Sequence, residues 1–382
     1  MPSFVFELSR RLTESFRVIV LAPHCQGAKR RDKWGEVEIR RFVYWTGSQD
    51  LFTGAAILPT LRKKPWLWLA VPLFLLSQFV ALASIMKAER VQLIHAHWIL
   101  PQGLLAVLYK LVFHSRAKLL VTSHGGDIFG LKPLARLKRF VLDRCEGVTV
   151  VSNAIREAVV RLGCSRLRME VLPMGVDMER FHPKHRDDAL RREVAPNGPL
   201  VLFVGRLSEK KGLRYLLDAM PRVVQRFPEL ILLVVGEGED REALEAHARS
   251  LGLSGDRVVF YGGVANDLLP KFYATADVFV GPSVTASGGD AEGFGLVFVE
   301  ALACACPVIA TDLPAIADIV IKGENGLIVE QRNAGAIAEA LIDLLEDRSL
   351  LDRLKSRARE SVVNRYDWRA VGARYGRLLG EL

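Results

Sequence analysis

Hydrophobic positions along the chain fall into short, β-branched runs that alternate with longer segments of helical period. This alternation is typical of parallel sheets covered by helices. In the first half the runs predict strands at Arg17–Pro23, Glu36–Trp45, Val91–His95, Lys118–His124, Gly147–Ser152 and Met169–Pro173. In the second half they predict strands at Pro199–Gly205, Leu230–Gly236, Arg257–Gly262, Asp277–Pro282, Pro307–Thr311 and Gly326–Val329. We therefore expect an α/β protein with two doubly wound parallel sheets.

Two series of strands indicate two domains, and the length of 382 residues favours the same number because single cores stop growing below this size. Met174–Pro199 separates the series, and its prolines and charges predict a linker. The segment from Asp367 onward has the apolar spacing of a helix that could cap either domain. The expected boundaries are 1–180 for the first domain, 181–366 for the second and 367–382 for the closing helix.

Charge is distributed unevenly between the two halves. The net charge is +9, but residues 1–185 carry 28 Lys and Arg against 14 Asp and Glu, while the remainder carries 24 against 29. A first half at +14 predicts an anionic partner, which can be nucleic acid, a phospholipid surface or a phosphorylated substrate, unless these charges are only solvated. The five cysteines form no CxxC pair, and the first residues lack a secretory pattern, so we expect a cytoplasmic protein.

One uncharged segment, Pro65–Met86, is long enough to span a bilayer and follows the basic triplet Arg62–Lys64. A proline and two polar residues interrupt it, and predicted strands on both sides need one common sheet. Two other interpretations fit better. The segment is either an amphipathic helix at the membrane interface, with Trp66 and Trp68 at headgroup level, or an ordinary buried helix that covers the sheet.

The first residues open directly into a helical pattern, with Phe4, Leu8 and Leu12 on one side and no strand before them. A doubly wound domain usually begins with a strand that pairs with a neighbour on each side. If that strand is absent, backbone N–H and C=O groups in the middle of the sheet have no hydrogen-bond partners. We expect the first domain to lack its first strand and the Gly-rich turn after it, with the true start of the protein upstream.

Two carboxylates frame the sharpest motif, the segment Glu292–Glu300 (EGFGLVFVE), which follows a predicted strand and a Gly-rich loop. We expect a helix that begins near Phe294, with Glu292 in the loop before it and Glu300 about two turns along it. The glycines allow a phosphate to approach the backbone N–H groups at the helix start. Carboxylates so placed can hold hydroxyl groups at two ends of one ligand, or they are an ordinary helix-start acid and a surface glutamate.

Further loops follow strands of the second half in the same way. Gly205–Gly212 (GRLSEKKG) places Arg206 and Lys211 past a strand end, where ligands bind in open parallel sheets. The two cations can neutralise a diphosphate, although alone they could be solvated loop charges. The Gly-rich turns 236–238 and 261–264 can admit a nucleobase and sugar against the backbone, or simply make a turn.

Together and in this order, these motifs resemble glycosyltransferase family 4, retaining enzymes with the GT-B fold. The second half is similar through GRLSEKKG (205–212), GEG (236–238), YGGV (261–264) and EGFGLVFVEALACACPVIATD (292–312). The first half is similar through LIHAHW (93–98), SHGGD (123–127) and VVS (150–152), and YDW (366–368) resembles the start of the closing helix. The resemblance implies two Rossmann-like domains facing a cleft, with a nucleotide-sugar site in the second.

The resemblance also implies roles for individual residues. The residues implied in catalysis are Glu292, His124, Arg206 and Lys211. The residues implied in donor binding are Glu300, Phe294, Gly295, Leu296, Val264, Gly236 and Glu237. The two cations and the helix-start backbone bind the diphosphate, Glu300 binds the ribose hydroxyls, and Glu292 and His124 face the transferred sugar from the two domains.

The implied reaction moves a hexose from a UDP- or GDP-linked sugar to a saccharide or polyprenyl-linked acceptor, with retention of configuration and without a cofactor. It serves cell-surface polysaccharide or glycolipid synthesis. Stabilising charge on the leaving diphosphate is the main catalytic task, and no protein nucleophile is required. The basic first half and residues 62–86 predict a membrane-bound acceptor and a peripheral position at the inner face of the cytoplasmic membrane.

Metal-dependent interpretations are less favoured. His95, His97 and His124 could hold zinc because alternate positions of a strand face one way, but no carboxylate that could orient them is evident nearby. Asp290 and Glu292 mimic the acidic triplet of metal-dependent GT-A transferases, yet the following Gly-Phe-Gly fits a phosphate loop better. We therefore predict no metal.

The remaining alternatives are an inactive protein that only binds the donor, a nucleotide-sugar epimerase and a nucleic-acid binder. The epimerase needs acid/base groups and no separate acceptor, so an assay without acceptor separates it from a transferase. A nucleic-acid binder is disfavoured because aromatic and basic residues are not interleaved for base stacking.

Overall fold

The computed structural model describes residues 3–45, 65–130, 132–164, 168–253, 255 and 257–382. The chain divides into two compact units. The first unit comprises Met1–Val151, Ile155–Leu172 and Trp368–Leu382, and the second comprises Ser152–Ala154 and Pro173–Asp367. The chain therefore enters the second unit briefly at Ser152–Ala154 and again at Pro173–Asp367, and it returns to the first unit with its last helix.

The first unit contains two sheets. In a three-stranded sheet of order β1-β3-β2, β1 and β3 are parallel and β2 is antiparallel to β3. A four-stranded sheet of order β4-β5-β6-β7 is parallel throughout. The strands are β1 Ile19–Pro23, β2 Arg31–Trp34, β3 Val37–Phe42, β4 Leu93–His97, β5 Lys118–Ser123, β6 Gly147–Val150 and β7 Met169–Val171.

No ladder joins β1 to β4 within the described part of the first unit, so each is the edge of its own sheet. The first described element is the helix expected from the apolar spacing of Phe4, Leu8 and Leu12. In the part of the first unit that the structure describes, the strands therefore form two separate sheets.

The helices of the first unit contribute to its apolar cores together with strand residues. They are α1 Ser3–Leu12, α2 Ala70–Ala88, α3 Leu104–Phe113, α4 Gly126–Phe129, α5 Ala135–Leu142, α6 Asn153–Arg161, whose first residues belong to the second unit, and, after the second unit, the C-terminal helix Trp368–Gly380. One core cluster combines Leu8 and Leu12 of α1 with Trp368 and Tyr375 of the C-terminal helix and Leu120 of β5. Residues from both ends of the sequence thus share one core.

The second unit contains one sheet of six parallel strands in the order β10-β9-β8-β11-β12-β13. Numbered within the unit, this order is 3-2-1-4-5-6, the doubly wound arrangement of dinucleotide-binding domains. The strands are β8 Leu200–Val204, β9 Ile231–Val235, β10 Val258–Gly262, β11 Val278–Gly281, β12 Val308–Thr311 and β13 Gly326–Val329.

Helices pack against this sheet and bury a large apolar cluster that includes Leu216, Met220, Val234 and Leu341. Such burial is the main favourable contribution to folding. In chain order the helices are α7 Asp188–Val194, α8 Leu213–Arg226, α9 Arg241–Ser250, α10 Leu269–Thr275, α11 Leu296–Ala303, α12 Ala334–Glu346, α13 Arg348–Ala358 and α14 Glu360–Tyr366. The C-terminal helix is α15.

The predicted linker Met174–Pro199 is an ordered part of the second unit, which corrects that expectation. It contains α7, whose first N–H groups are capped by the Asp187 carboxylate. Arg191 on α7 forms an ion pair with Asp277 at 2.7 Å and donates to the Gly198 carbonyl. The charges that indicated a linker are therefore used in caps and ion pairs at the start of the sheet.

All twelve predicted strands are present, with bounds that differ by at most three residues. Strand β2 was missed because Arg31, Asp32 and Lys33 give it no apolar alternation, and its pairing with β3 holds it in place. Strand periodicity detects buried strands better than short exposed ones.

We expect Gly372→Leu on α15 to destabilise the first unit, because a Cβ at Gly372 lies 2.8 Å from Cβ of Arg11 on α1. Overpacking of this kind costs about 1–3 kcal/mol. Gly376→Leu, one turn along the same helix, is the matched control, because a Cβ there has no atom within 4 Å. Thermal unfolding should show a lower Tm for Gly372→Leu only; equal Tm values would contradict the packing of α15 on α1.

Candidate active site

The site in the second unit lies where the strand order reverses. Strands β8 and β11 are sequence-distant neighbours, with Val201 paired to Val278 and Leu202 to Phe279. In open α/β sheets, ligands bind beyond the carboxyl ends of strands at this switch point. The loop after β8 carries Arg206 and Lys211, and the loop after β11 carries Glu292. The topology therefore brings together residues that are more than eighty positions apart in the chain.

Lys211 and Glu292 form the central contact between these two loops. Their Nζ and Oε2 atoms are 2.7 Å apart, and each side chain is only 15% exposed. Burial acts to raise the pKa of Glu292, but the positive charges of Lys211 and Lys210 outweigh it and hold the pKa below its ordinary value. Glu292 is thus a carboxylate beside a shielded ammonium group, while Arg206 is exposed nearby along the same loop.

The turn at Gly212 fixes the position of Lys211. Gly212 has a φ of 65°, and a Cβ there falls 1.9 Å from the Pro282 carbonyl oxygen. Only glycine fits such a close backbone approach at positive φ. The β8 loop is therefore held directly against the end of β11.

Helix α11 begins at Leu296, two residues later than expected, because Gly295 takes a φ of 93° as the N-cap. A Cβ at Gly295 falls 2.7 Å from the ring of Phe298. Phe294 is buried and its ring packs on that of Tyr366. The helix therefore begins four residues after Glu292, and its N-terminus adds positive potential to the loop that carries this carboxylate.

Glu300 lies one turn along α11 rather than two, and its side chain is buried. The hydroxyl of Tyr273 on α10 donates to its Oε2 at 3.0 Å. Burial raises the pKa of Glu300 to about 7, against the opposing effects of Tyr273, Arg180 and Lys211. This carboxyl group therefore changes protonation state near neutral pH.

The loops after β9 and β10 join the same edge of the sheet. Gly236 has a φ of 149° and donates its N–H to the Gly262 carbonyl, and a Cβ there falls 1.9 Å from the Gly205 carbonyl oxygen. Glu237 accepts from the Gly263 N–H at 3.3 Å, and its own carbonyl accepts from Leu207. Val264, which follows the β10 turn, is part-buried. The structure thus places Gly236, Glu237 and Val264 after strand ends of the second unit, and Phe294, Gly295, Leu296 and Glu300 at or in the first turns of α11.

His124 belongs to the first unit, where it follows β5 and meets the histidines of β4. Nδ1 of His97 and Nε2 of His124 share a hydrogen bond of 3.0 Å, and the two rings are stacked. His95 contacts the Thr122 hydroxyl at 2.7 Å instead. Among the described residues, no group of three or more His, Cys, Asp or Glu side chains is arranged to hold a metal ion. His97 and His124 therefore share a hydrogen bond, and the ring of His95 lies against that of His97 with centroids 4.4 Å apart.

Burial lowers the pKa of all three imidazoles, that of His97 to about 4. The neighbouring His97 lowers the pKa of His124 further. The cluster is therefore neutral at physiological pH. Because the His97 contact occupies Nε2 of His124, its Nδ1 is the ring atom left without a partner among the described residues.

Three further residues were not predicted from the sequence. Tyr273 has no polar motif around it and has the apolar spacing of a core helix residue, so nothing signals its bond to Glu300. Ser152, whose hydroxyl donates to the Gly293 carbonyl at 2.8 Å, lies within the VVS motif. Lys210 pairs with Asp290 at 3.3 Å, and the adjacent basic pair in GRLSEKKG was the available signal.

We expect Glu300→Gln to stabilise the free protein at pH 8. Between the ordinary carboxyl pKa of 4.5 and the folded value of about 7, the folded state holds a proton that the unfolded state has lost. Stability therefore falls as pH rises through this window, by roughly 3 kcal/mol in total. Glutamine removes that cost and still accepts from Tyr273.

Urea unfolding at two pH values checks this expectation. The variant should be more stable than the parent at pH 8, and the difference should shrink to less than about 1 kcal/mol at pH 5. A variant that is less stable at pH 8 would show that the charged form of Glu300 is the better accommodated one.

Comparison with known protein families covers both units. The model for Glycosyltransferase Family 4 matches residues 1–180, and the model for Glycosyl transferases group 1 matches residues 186–361. These ranges follow the two halves found from the strand pattern.

Two curated relatives align with most of the chain. A GDP-mannose-dependent alpha-(1-6)-phosphatidylinositol monomannoside mannosyltransferase of Mycobacterium tuberculosis is 35% identical over 282 residues, 72% of each chain. An N-acetyl-alpha-D-glucosaminyl L-malate synthase of Bacillus anthracis is 26% identical over 299 residues, 77% of this chain and 76% of the relative.

Solved structures share the fold over nearly the whole length. Sucrose-phosphate synthase from Thermosynechococcus elongatus gives a TM-score of 0.81 at 24% identity. The aligned region covers 99% of this chain and 92% of the synthase chain. HepE of Anabaena, solved with UDP and glucose, gives a TM-score of 0.76 at 20% identity. The aligned region covers 100% of this chain and 96% of the HepE chain. These matches agree with the strand order of the second unit and with its strand-end loops. The chain belongs to the family 4 glycosyltransferases and has the GT-B fold.

Proposed function

We propose that the protein transfers a hexose, with retention of configuration and without a metal, from a nucleoside-diphosphate sugar to a lipid-linked or saccharide acceptor. The observation that carries the proposal is the shielded Lys211–Glu292 pair at the carboxyl ends of β8 and β11, directly before the start of α11. A buried cation beside a helix start is suited to a diphosphate. Arg206 lies exposed on the same loop and adds a second cation.

Glu292 and Glu300 have different roles in this proposal. Glu292 is held ionised by Lys211 and accepts hydrogen bonds from hydroxyl groups of the transferred sugar. Glu300 accepts from the ribose hydroxyls, and a bound ribose supplies donors that favour its ionised form. The backbone at Gly236 and Val264 lies against the base, with Glu237 bracing the turn.

In the proposed reaction the bond between the anomeric carbon and the diphosphate oxygen breaks, and the acceptor oxygen bonds to the same carbon from the same face. The acceptor proton passes to the departing diphosphate. Negative charge grows on that leaving group, and Lys211, Arg206 and the N–H groups of α11 stabilise it electrostatically. Because these cations replace a divalent ion, the reaction needs neither a metal nor a cofactor.

The mycobacterial relative uses GDP-mannose, so GDP-linked mannose is the donor to test first, with UDP-linked sugars next. That relative acts on a glycolipid, which supports a lipid-linked acceptor, cell-surface glycolipid or polysaccharide synthesis and a peripheral position at the cytoplasmic membrane. No role for nucleic acid is proposed.

We expect calorimetry without added metal to detect micromolar binding of one nucleotide among GDP, UDP and ADP. Lys211→Met and Glu300→Ala should each weaken this binding by about 2 kcal/mol or more. The first leaves the bound diphosphate without its buried cation, and the second leaves the ribose hydroxyls without their acceptor. Lys322→Met, an exposed lysine before β13, is the control and should bind like the parent.

Two outcomes separate the alternatives. If no nucleotide binds, the proposed donor site is wrong. If a nucleotide binds but neither transfer nor donor hydrolysis follows, the protein is a donor binder and not a transferase.

We expect His124→Asn to lower kcat of transfer by more than about 100-fold while nucleotide binding stays unchanged, because His124 belongs to the first unit and the nucleotide residues to the second. His185→Asn, an exposed histidine, is the control. Equal activity of both variants would remove His124 from the catalytic set.

A further inference from the structure

Helix α2 has one buried side and one exposed side, and both are apolar. The buried side places Ala70 and Phe74 in a small core with Phe42, the last residue of β3, and Tyr44, which follows that strand. Gln78 is buried on the same side. This side of the helix is therefore part of the first unit's own core.

The exposed side of α2 and of the turn before it carries large apolar side chains. Leu69 is 78% exposed. Within Trp66–Ala88, only 28% of the most apolar stretch is buried inside the protein. The exposed residues are Trp66, Trp68, Leu69, Leu73, Leu76 and Val80. A core helix of this length is mostly buried, so an ordinary covering helix does not account for this side.

Helix α3 extends the same surface. The rings of Phe79 on α2 and Phe113 on α3 are stacked with centroids 6.4 Å apart, which joins the two helices. Near this junction α3 exposes Leu108, Leu111, Val112 and Phe113. We name these residues and the exposed residues of α2 the α2/α3 surface. Contiguous apolar surfaces of this extent mark interaction sites.

The charges in the chain segment that contains the α2/α3 surface are almost all positive. Between Pro65 and Lys118 the sequence contains one acidic residue, Glu89, and that carboxylate is paired with Arg17 and Arg40. The exposed basic residues at or just after the C-terminal ends of these two helices are Lys87, Arg90, Arg116 and Lys118. An apolar surface with tryptophans and a basic border matches the interface of an anionic bilayer, where aromatic rings lie at headgroup depth.

We infer that the α2/α3 surface docks the first unit onto an anionic phospholipid bilayer, with α2 lying in the interface and not crossing it. A spanning α2 would remove Phe74 and Gln78 from the first unit's core. The inference extends the lipid-linked acceptor of the proposed function by naming the surface that reaches the lipid. It rests on the α2/α3 surface alone and is tested without donor or acceptor.

Flotation of the full chain with vesicles tests this inference. We compare phosphatidylcholine vesicles with vesicles containing about 30% phosphatidylglycerol at about 0.1 M NaCl. Leu76→Glu on α2 and Val112→Glu on α3 should each lower the bound fraction at least about tenfold on the anionic vesicles. Val160→Glu, an exposed apolar position on α6 of the same unit, is the matched control and should bind like the parent.

Circular dichroism and GDP or UDP binding by the same variants separate a docking defect from misfolding and from failure of the donor site. Extraction by alkaline carbonate should release the parent protein from vesicles, since a docked protein is removed and a spanning one is not.

The inference is overturned if Val112→Glu and Val160→Glu bind vesicles equally, or if the parent resists carbonate extraction. It is also overturned if sedimentation shows a dimer that Leu76→Glu dissociates while vesicle affinity is absent, because the surface then holds a second copy of the chain.

Discussion

The adjacency of β8 and β11 is the constraint on which the candidate site depends. Because these strands pair although they are separated by two other strands in sequence, the loops that follow them meet. The close fit of Gly212 against the Pro282 carbonyl brings Lys211 within 2.7 Å of Glu292. A change in either loop therefore alters the ion pair and the start of α11 together.

Burial of Glu300 shows how the second unit combines a working site with a stable core. A carboxyl group with a pKa of about 7 in a closely packed helix is unfavourable for folding above that pH. The core around it, which includes Phe298 and Val299 with no exposed surface, contributes enough apolar burial to tolerate it. Strained or costly groups of this kind are typical of functional sites.

Periodicity predicted every strand of the second unit because those strands are short apolar runs, and the four central ones, β8, β9, β11 and β12, are buried on both faces. The charged strand β2 and the ordered segment around α7 could not be found in this way, since their stability comes from pairing and capping partners. The motifs also placed Arg206, Lys211 and Glu292 in loops that follow strands, and Glu300 on the helix after Glu292. The Lys211–Glu292 pair, the Tyr273 hydrogen bond and the His97–His124 contact depend on packing between distant segments, which local spacing does not encode.

The return of the last helix to the first unit has a consequence for biosynthesis. Domains usually fold as they emerge from the ribosome, beginning with the N-terminal one. Here the core around Leu8 and Leu12 includes Trp368 and Tyr375, so the N-terminal unit cannot complete its packing until translation has reached the end of α15. The second unit contains its own continuous core and can finish first, which reverses the usual order of assembly along the nascent chain.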